Sequence, residues 1–216
     1  MEDARPIKLR IRQAAFALAE RTDWHEISMA AIAGQAGLSL SLLMRHAPSK
    51  SAILQDFSRD IDEAMLLVFE RYPAEGDAHD RLFDVILKRL EILQPYRGVI
   101  ASVIKRSGAD GVEAVRLLQS LSDSIGWMVS AARVEQEPEW QSLGRLGLMR
   151  AYLRVLSVWS KENDPGLART MAALDRALRD VEWFNRRASG IIEVASRVAR
   201  TARTAAKQFF EERKKT

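Results

Sequence analysis

Apolar residues recur at intervals of three and four along nearly the whole chain, and that period constrains the fold more than any other feature. Ile11, Ala14, Ala15, Leu18 and Ala19 would share one face of a helix. Leu82, Val85, Ile86, Leu90 and Leu93 repeat the spacing, with Arg89 at the edge of the stripe. Leu146, Met149, Tyr152, Leu153 and Leu156 do so again. Period-two alternation flanked by turn residues is absent, so an all-α fold is predicted. Prolines at positions 6, 48, 73, 95, 138 and 165 act as punctuation, because each removes a donor and disfavours a continuing helix. Asn163-Asp164-Pro165 reads as an N-cap followed by proline in the first turn, while 108–111 and 135–139 read as loops. The pattern predicts about nine or ten helices: three short ones within 5–47, a long connecting helix from about Ser49 to Arg71, and larger ones beyond.

The 216 residues suit one large domain or a small one joined to a larger. A hydrophobic fraction of 47% with 29% charged residues excludes wholesale disorder. With no cysteine, disulfide scaffolds, thiolate catalysis and sulfur-built zinc sites are excluded. No apolar run approaches the ~18–20 residues of a membrane span. Met1-Glu2-Asp3-Ala4-Arg5-Pro6 carries charge where a secretory signal needs its apolar core, so a cytoplasmic location is expected. Charge is unevenly spread. Lys+Arg 33 against Asp+Glu 29 leaves +4, but residues 185–216 hold nine cations and three anions, 9 − 3 = +6, so the rest carries 4 − 6 = −2. The basic character belongs to the tail.

Residues 27–47 combine two short helix signals. Ser28 can cap a helix whose inward face is Ile32 and Ala36, with Ala33 small enough for a close approach. Gly37 stands where that helix must stop, and Ser39 can cap the next. Helix, glycine turn and helix at this spacing describe a helix-turn-helix, whose second helix can enter a DNA major groove. Any two short helices joined by glycine share the pattern, so spacing alone leaves both readings open.

Ile11 to Glu20, Ile27-Ser28, Ile32-Ala33, Ala36-Gly37-Leu38-Ser39 and Arg45-His46-Ala47-Pro48-Ser49-Lys50 together resemble the N-terminal signature of TetR-type regulators, over about residues 7–54. The resemblance implies a homodimeric all-α, TetR-like protein, with a helix-turn-helix head at 1–48 and a helical ligand-binding and dimerisation domain at 49–184, while the residues of 185–216 themselves predict a basic amphipathic C-terminal helix. It implies that Ser28 and Lys50 hold phosphates and that Ser39, Leu40, Ser41 and Arg45 face the groove, with Met44 and His46 completing the candidate DNA-binding set. Two positions depart from the family pattern. Met44 stands where an aromatic is usual in the recognition helix, and Ala47 where a Phe usually anchors the turn. Leu40, Leu42, Leu43 and Met44 make that helix greasy; two or three must pack inward, and Leu40 is left for solvent or thymine methyls. Residues 1–60 hold eight cations and seven anions, 8 − 7 = +1, so phosphate binding rests on Arg5, Lys8, Arg10, Arg12 and Lys50.

Between Tyr72 and Trp183 the chain carries many bulky apolar residues, Trp140 and Met171 among them. Tyr96, Trp127, Met128, Met149, Tyr152 and Trp159 are the candidates to line an apolar effector pocket, and the same residues suit a core or a dimer interface. Arg89, Arg97, Asp123 and Asn163 could anchor a ligand or form surface ion pairs. Neither an enzyme nor a cofactor or metal site is expected. His25, His46 and His79 form no i, i+4 pair, and no GxSxG elbow or phosphate-binding glycine loop occurs. His79, beside Asp77 and Asp80, reads as part of a solvated loop.

In the tail, Ile191, Ala195, Val198, Ala202, Ala205 and Phe209 form one stripe, with Arg197, Arg200, Arg203 and Lys207 opposite. Such a helix can pack on a protein surface, lie on anionic lipid, or add phosphate contacts to a DNA head. Val158-Trp159-Ser160, Asn163-Asp164-Pro165, Thr170-Met171 and Leu174-Asp175-Arg176 resemble the closing region of the TetR-fold accessory proteins of coenzyme Q biosynthesis. Two functions are therefore expected as alternatives. One is a ligand-responsive regulator, a repressor by the family pattern, whose partners are operator DNA, an apolar small-molecule or lipid effector and a second copy. The other is a lipid-binding accessory protein, peripheral to the inner membrane through its C-terminal helix.

Overall fold

The computed structural model describes residues 4–105, 111–137 and 142–187, and every regular element among them is helical. In chain order these are α1 (Ala4–Ala19), α2 (Met29–Ala36), α3 (Leu40–His46), α4 (Lys50–Arg71), α5 (Ala78–Leu93), α6 (Arg97–Lys105), α7 (Gly111–Ala131), α8 (Ser142–Trp159) and α9 (168–187), with 3-10 turns at Trp24–Glu26 and Gln94–Tyr96. The tail residues Arg197, Arg200, Arg203 and Lys207 lie outside the described residues, as does Trp140.

Local chemistry sets the helix starts. Ser28 Oγ accepts from the Ala31 N–H at 3.1 Å, Ser39 Oγ from Leu42 at 3.2 Å, and Ser49 Oγ from Ala52 at 3.1 Å. Asp77 does the same for Asp80 at 3.0 Å. Each cap satisfies a donor that the first helical turn cannot. Gly37 ends α2 at φ 60°, in the left-handed region that a side chain disfavours.

The head packs α1 across α2 and α3, burying Ile11, Ala15, Ile32, Ala33, Ala36 and Leu43. It is bolted to the body through Trp24. The Trp24 N–H donates to Ser102 Oγ on α6 at 2.9 Å, and Lys50 Nζ donates to the Trp24 and His25 carbonyls at 2.9 and 3.1 Å. Phe16, Phe57 and Tyr96 meet edge to face around the same joint. In the body, α4 lies along α7 and against α5, while α7 also touches α5 and α8.

Five expectations need correction. Arg89 is not at the edge of the α5 stripe; it is buried within it at 4% exposure, beside Leu82, Val85, Ile86, Leu90 and Leu93. On α8 the core face is Leu148, Ala151, Tyr152, Val155 and Trp159, whereas Leu146 and Leu153 are exposed. That helix is apolar on two sides, so periodicity alone does not fix which side turns inward. His79 sits in the first turn of α5 rather than in a loop, with Nδ1 2.9 Å from Glu182 and Nε2 3.2 Å from Asp175 on α9. Asn163 does not cap α9, which begins at 168. Buried Glu162 accepts from the Thr170 N–H at 3.1 Å instead, while Asp164 closes a local turn onto Gly166. Arg97 reaches the Glu162 carbonyl and so braces this corner rather than forming a surface ion pair.

Candidate nucleic-acid interface and effector cavity

The outer face of α3 is built from residues that nothing in the head covers. Leu43 is buried and Leu42 half-buried, so these two supply the inward side of the helix. Leu40 and Met44 remain 55% and 61% exposed, with Ser41 and Arg45 exposed beside them. His46 is half-buried at the helix end. Ala47, small where the anchor is usually large, is itself buried. Ser39 Oγ is engaged both as the cap and with Ser41 Oγ at 3.1 Å.

The cations around the head are less available than their number suggests. Lys8 Nζ is 2.6 Å from Asp56 and Arg12 pairs with Asp60, so two members of the N-terminal cluster face α4 carboxylates. Lys50 spends two of its three N–H donors on the Trp24 and His25 carbonyls. Ser28 is exposed, its oxygen serving the α2 cap.

A cavity of about 410 Å³ opens among α4, α5, α6, α7 and α8. Its wall is mainly Leu54, Phe57, Leu93, Ile100, Val103 and Leu121, with Leu118 and Leu153 exposed in the lining. Of the six residues expected to line an effector pocket, Tyr152 alone lines this cavity. Tyr96 meets Phe57 edge to face, one layer behind the wall, at 4.8 Å between ring centroids. Met128 and Trp159 are sealed in the core, where Trp159 Nε1 donates to Gln94 Oε1 at 2.9 Å. Met149 packs half-buried against the core. Trp127 is exposed and lines a different groove, between α4 and α7, together with Arg59, Glu63, Asp123 and Arg145.

Sequence reasoning missed the polar corner of the cavity. Arg89 Nε donates to Asp62 Oδ1 at 2.7 Å, Nη1 to the Tyr152 hydroxyl, and Nη2 to Ser58 and Ser124 at 2.9 and 3.1 Å. Ser124 donates on to Asp62 Oδ2 at 2.6 Å. Burial pushes the Tyr152 phenol above its ordinary pKa, against the opposing pull of Arg89, so it is neutral near pH 7. Burial works against the Arg89 charge, but the fields and hydrogen bonds of Tyr152 and Asp62 outweigh it and hold the guanidinium above its usual value. The legible signal was a lone arginine inside an otherwise apolar stripe. The carboxylate it would meet, 27 residues away, was not marked.

Among the described residues no three His, Cys, Asp or Glu converge as a metal site, and no helix is long and apolar enough to cross a membrane.

Residues 11–57 match the family model of bacterial regulatory proteins, tetR family. The fold is similar to that of a TetR transcriptional regulator from Nitrosomonas europaea ATCC 19718, with a TM-score of 0.64 at 21% identity, covering 82% of this chain and 99% of that one. It is similar also to a TetR transcriptional regulator from Rhodococcus sp. RHA1, with a TM-score of 0.62 at 19% identity, covering 83% and 97%. No curated protein matches the chain in sequence.

Proposed function

We propose that this chain, whose head matches the tetR family model and whose fold is that of TetR regulators, is a homodimeric DNA-binding transcription regulator that responds to an apolar effector. The observation that carries the reading is the uncovered outer face of α3, where Leu40, Ser41, Met44 and Arg45 stand free of the head's own core. Arg45 supplies the base-edge donors, and Leu40 and Met44 supply apolar contacts to thymine methyls. Ser28 and the remaining donor of Lys50 meet phosphates, while Ser39, Ser41 and His46 face the groove. Leu146 and Phe184, exposed around a groove between α8 and α9, support pairing of those helices with a second copy.

The cavity supports effector response because its wall includes α4 and α6, the two helices that hold the head. Phe57 on α4 and Val103 on α6 both face it, next to the Trp24–Ser102 and Lys50–Trp24 bonds. An occupant that shifts α6 against α4 changes the balance between head positions that fit DNA and those that do not.

Selection of genomic DNA fragments by the purified protein, followed by titration at two salt concentrations, tests this. Sequence-selective retention is expected, with affinity falling as salt rises. Arg45→Ala should weaken specific binding about tenfold while leaving non-specific binding nearly unchanged. Equal loss for all sequences, or no selective retention by the parent chain, would sink the proposal.

A further inference from the structure

Charge chemistry narrows what the cavity can hold. Among the described residues, Arg89 is the one charged residue of its lining, and Asp62 neutralises it from behind. Four of its five N–H groups are already committed to Asp62, Tyr152, Ser58 and Ser124. A carboxylate entering here would lose its water and find a cation matched already, with the Asp62 charge close behind. An ammonium would face the guanidinium itself. Hydrogen-bond donation is a different matter. The Tyr152 oxygen accepts from Arg89, which leaves the phenol its own proton to give to an acceptor. Around this corner Leu54, Phe57, Leu93, Leu121 and Leu156 offer only apolar surface.

We propose, building on the effector-cavity reading above, that the cavity selects uncharged apolar molecules bearing one neutral oxygen acceptor, such as a ketone or ester carbonyl. The Tyr152 hydroxyl holds that acceptor, and the matching carboxylic acids and amines are rejected. Tyr152 is thus the specificity-determining residue. Ser58, which accepts from Arg89 and sits 3.1 Å from Ser124, belongs to α4 and joins the corner to the helix that carries the head.

Four probes of one chain length decide the matter when titrated into the full chain: 2-decanone, decanoate, decylamine and decane, read by displacement of an apolar fluorescent dye. The ketone should bind about tenfold more tightly than decanoate or decylamine, and Tyr152→Phe should cost the ketone severalfold while leaving decane unchanged. Decanoate binding as tightly as the ketone would overturn the proposal, as would a Tyr152→Phe chain indifferent to the ketone's oxygen. Should Tyr152→Phe fail to fold, the ranking of the four probes on the parent chain still decides. Leu118→Trp, at an exposed part of the wall, should weaken all four together. If no probe binds, or if Leu118→Trp changes none of them, the cavity reading itself falls, an outcome distinct from a wrong head-group preference.

Discussion

The recognition helix and the body cavity break the usual distribution of polarity in opposite directions. On α3, Leu40 and Met44 stand in solvent although the core of the head lies one turn away. In the body, Arg89 and Asp62 are buried together among leucines, although a wide surface was open to them. Exposed apolar side chains cost the folded head little, because they are equally exposed in the unfolded chain. A buried ion pair is another case, since each charge has surrendered its water and depends on its partner. The first departure is cheap and free to vary. The second locks four helices into one arrangement, because its members come from α4, α5, α7 and α8.

Three sets of substitutions test that contrast and the backbone that supports the recognition helix. The largest effect is expected from Arg89→Met, which strands the Asp62 carboxylate and should destabilise the protein by about 3–5 kcal/mol. Combining it with Asp62→Leu should recover most of the loss in urea unfolding. A single variant within about 1 kcal/mol of the parent would mean that the pair is hydrated and the contrast unfounded. Gly37→Ala comes next. Its Cβ would meet nothing within 4 Å, so the left-handed φ alone should cost about 1–2 kcal/mol, with Gly37→Asn costing less. Equal losses for Ala and Asn would point away from backbone strain. Smallest is the joint change Leu40→Ser with Met44→Ser, expected to move stability by no more than about 0.5 kcal/mol. The same change should lower specific DNA affinity severalfold. A marked loss of stability instead would show that these side chains serve the fold rather than a groove.

Legibility in the sequence followed the range of the interactions. Ser28 and Ser39 act on donors three residues away, and each was readable as a cap from its own neighbourhood. The α5 stripe was readable because five apolar residues share one face and only Arg89 interrupts it. The α8 stripe misled, since apolar residues on two faces give the same period in two phases. Of the expected pocket set, only Tyr152 reached the cavity. Large aromatics fill a core as readily as they line a void, and Trp159 found both its packing and its hydrogen bond in the interior.

By itself, then, the sequence determined the starts of α2 and α3, the glycine stop at 37 and the helix-turn-helix order of the head, because those depend on bonds between residues three or four apart. Only the tertiary structure decided that Lys8 and Arg12 turn towards α4 carboxylates, that His79 meets Asp175 and Glu182, and that Arg89 meets Asp62, Ser58, Ser124 and Tyr152. The worth of a charge is set by its solvent and its partner, and both are fixed only when distant helices pack.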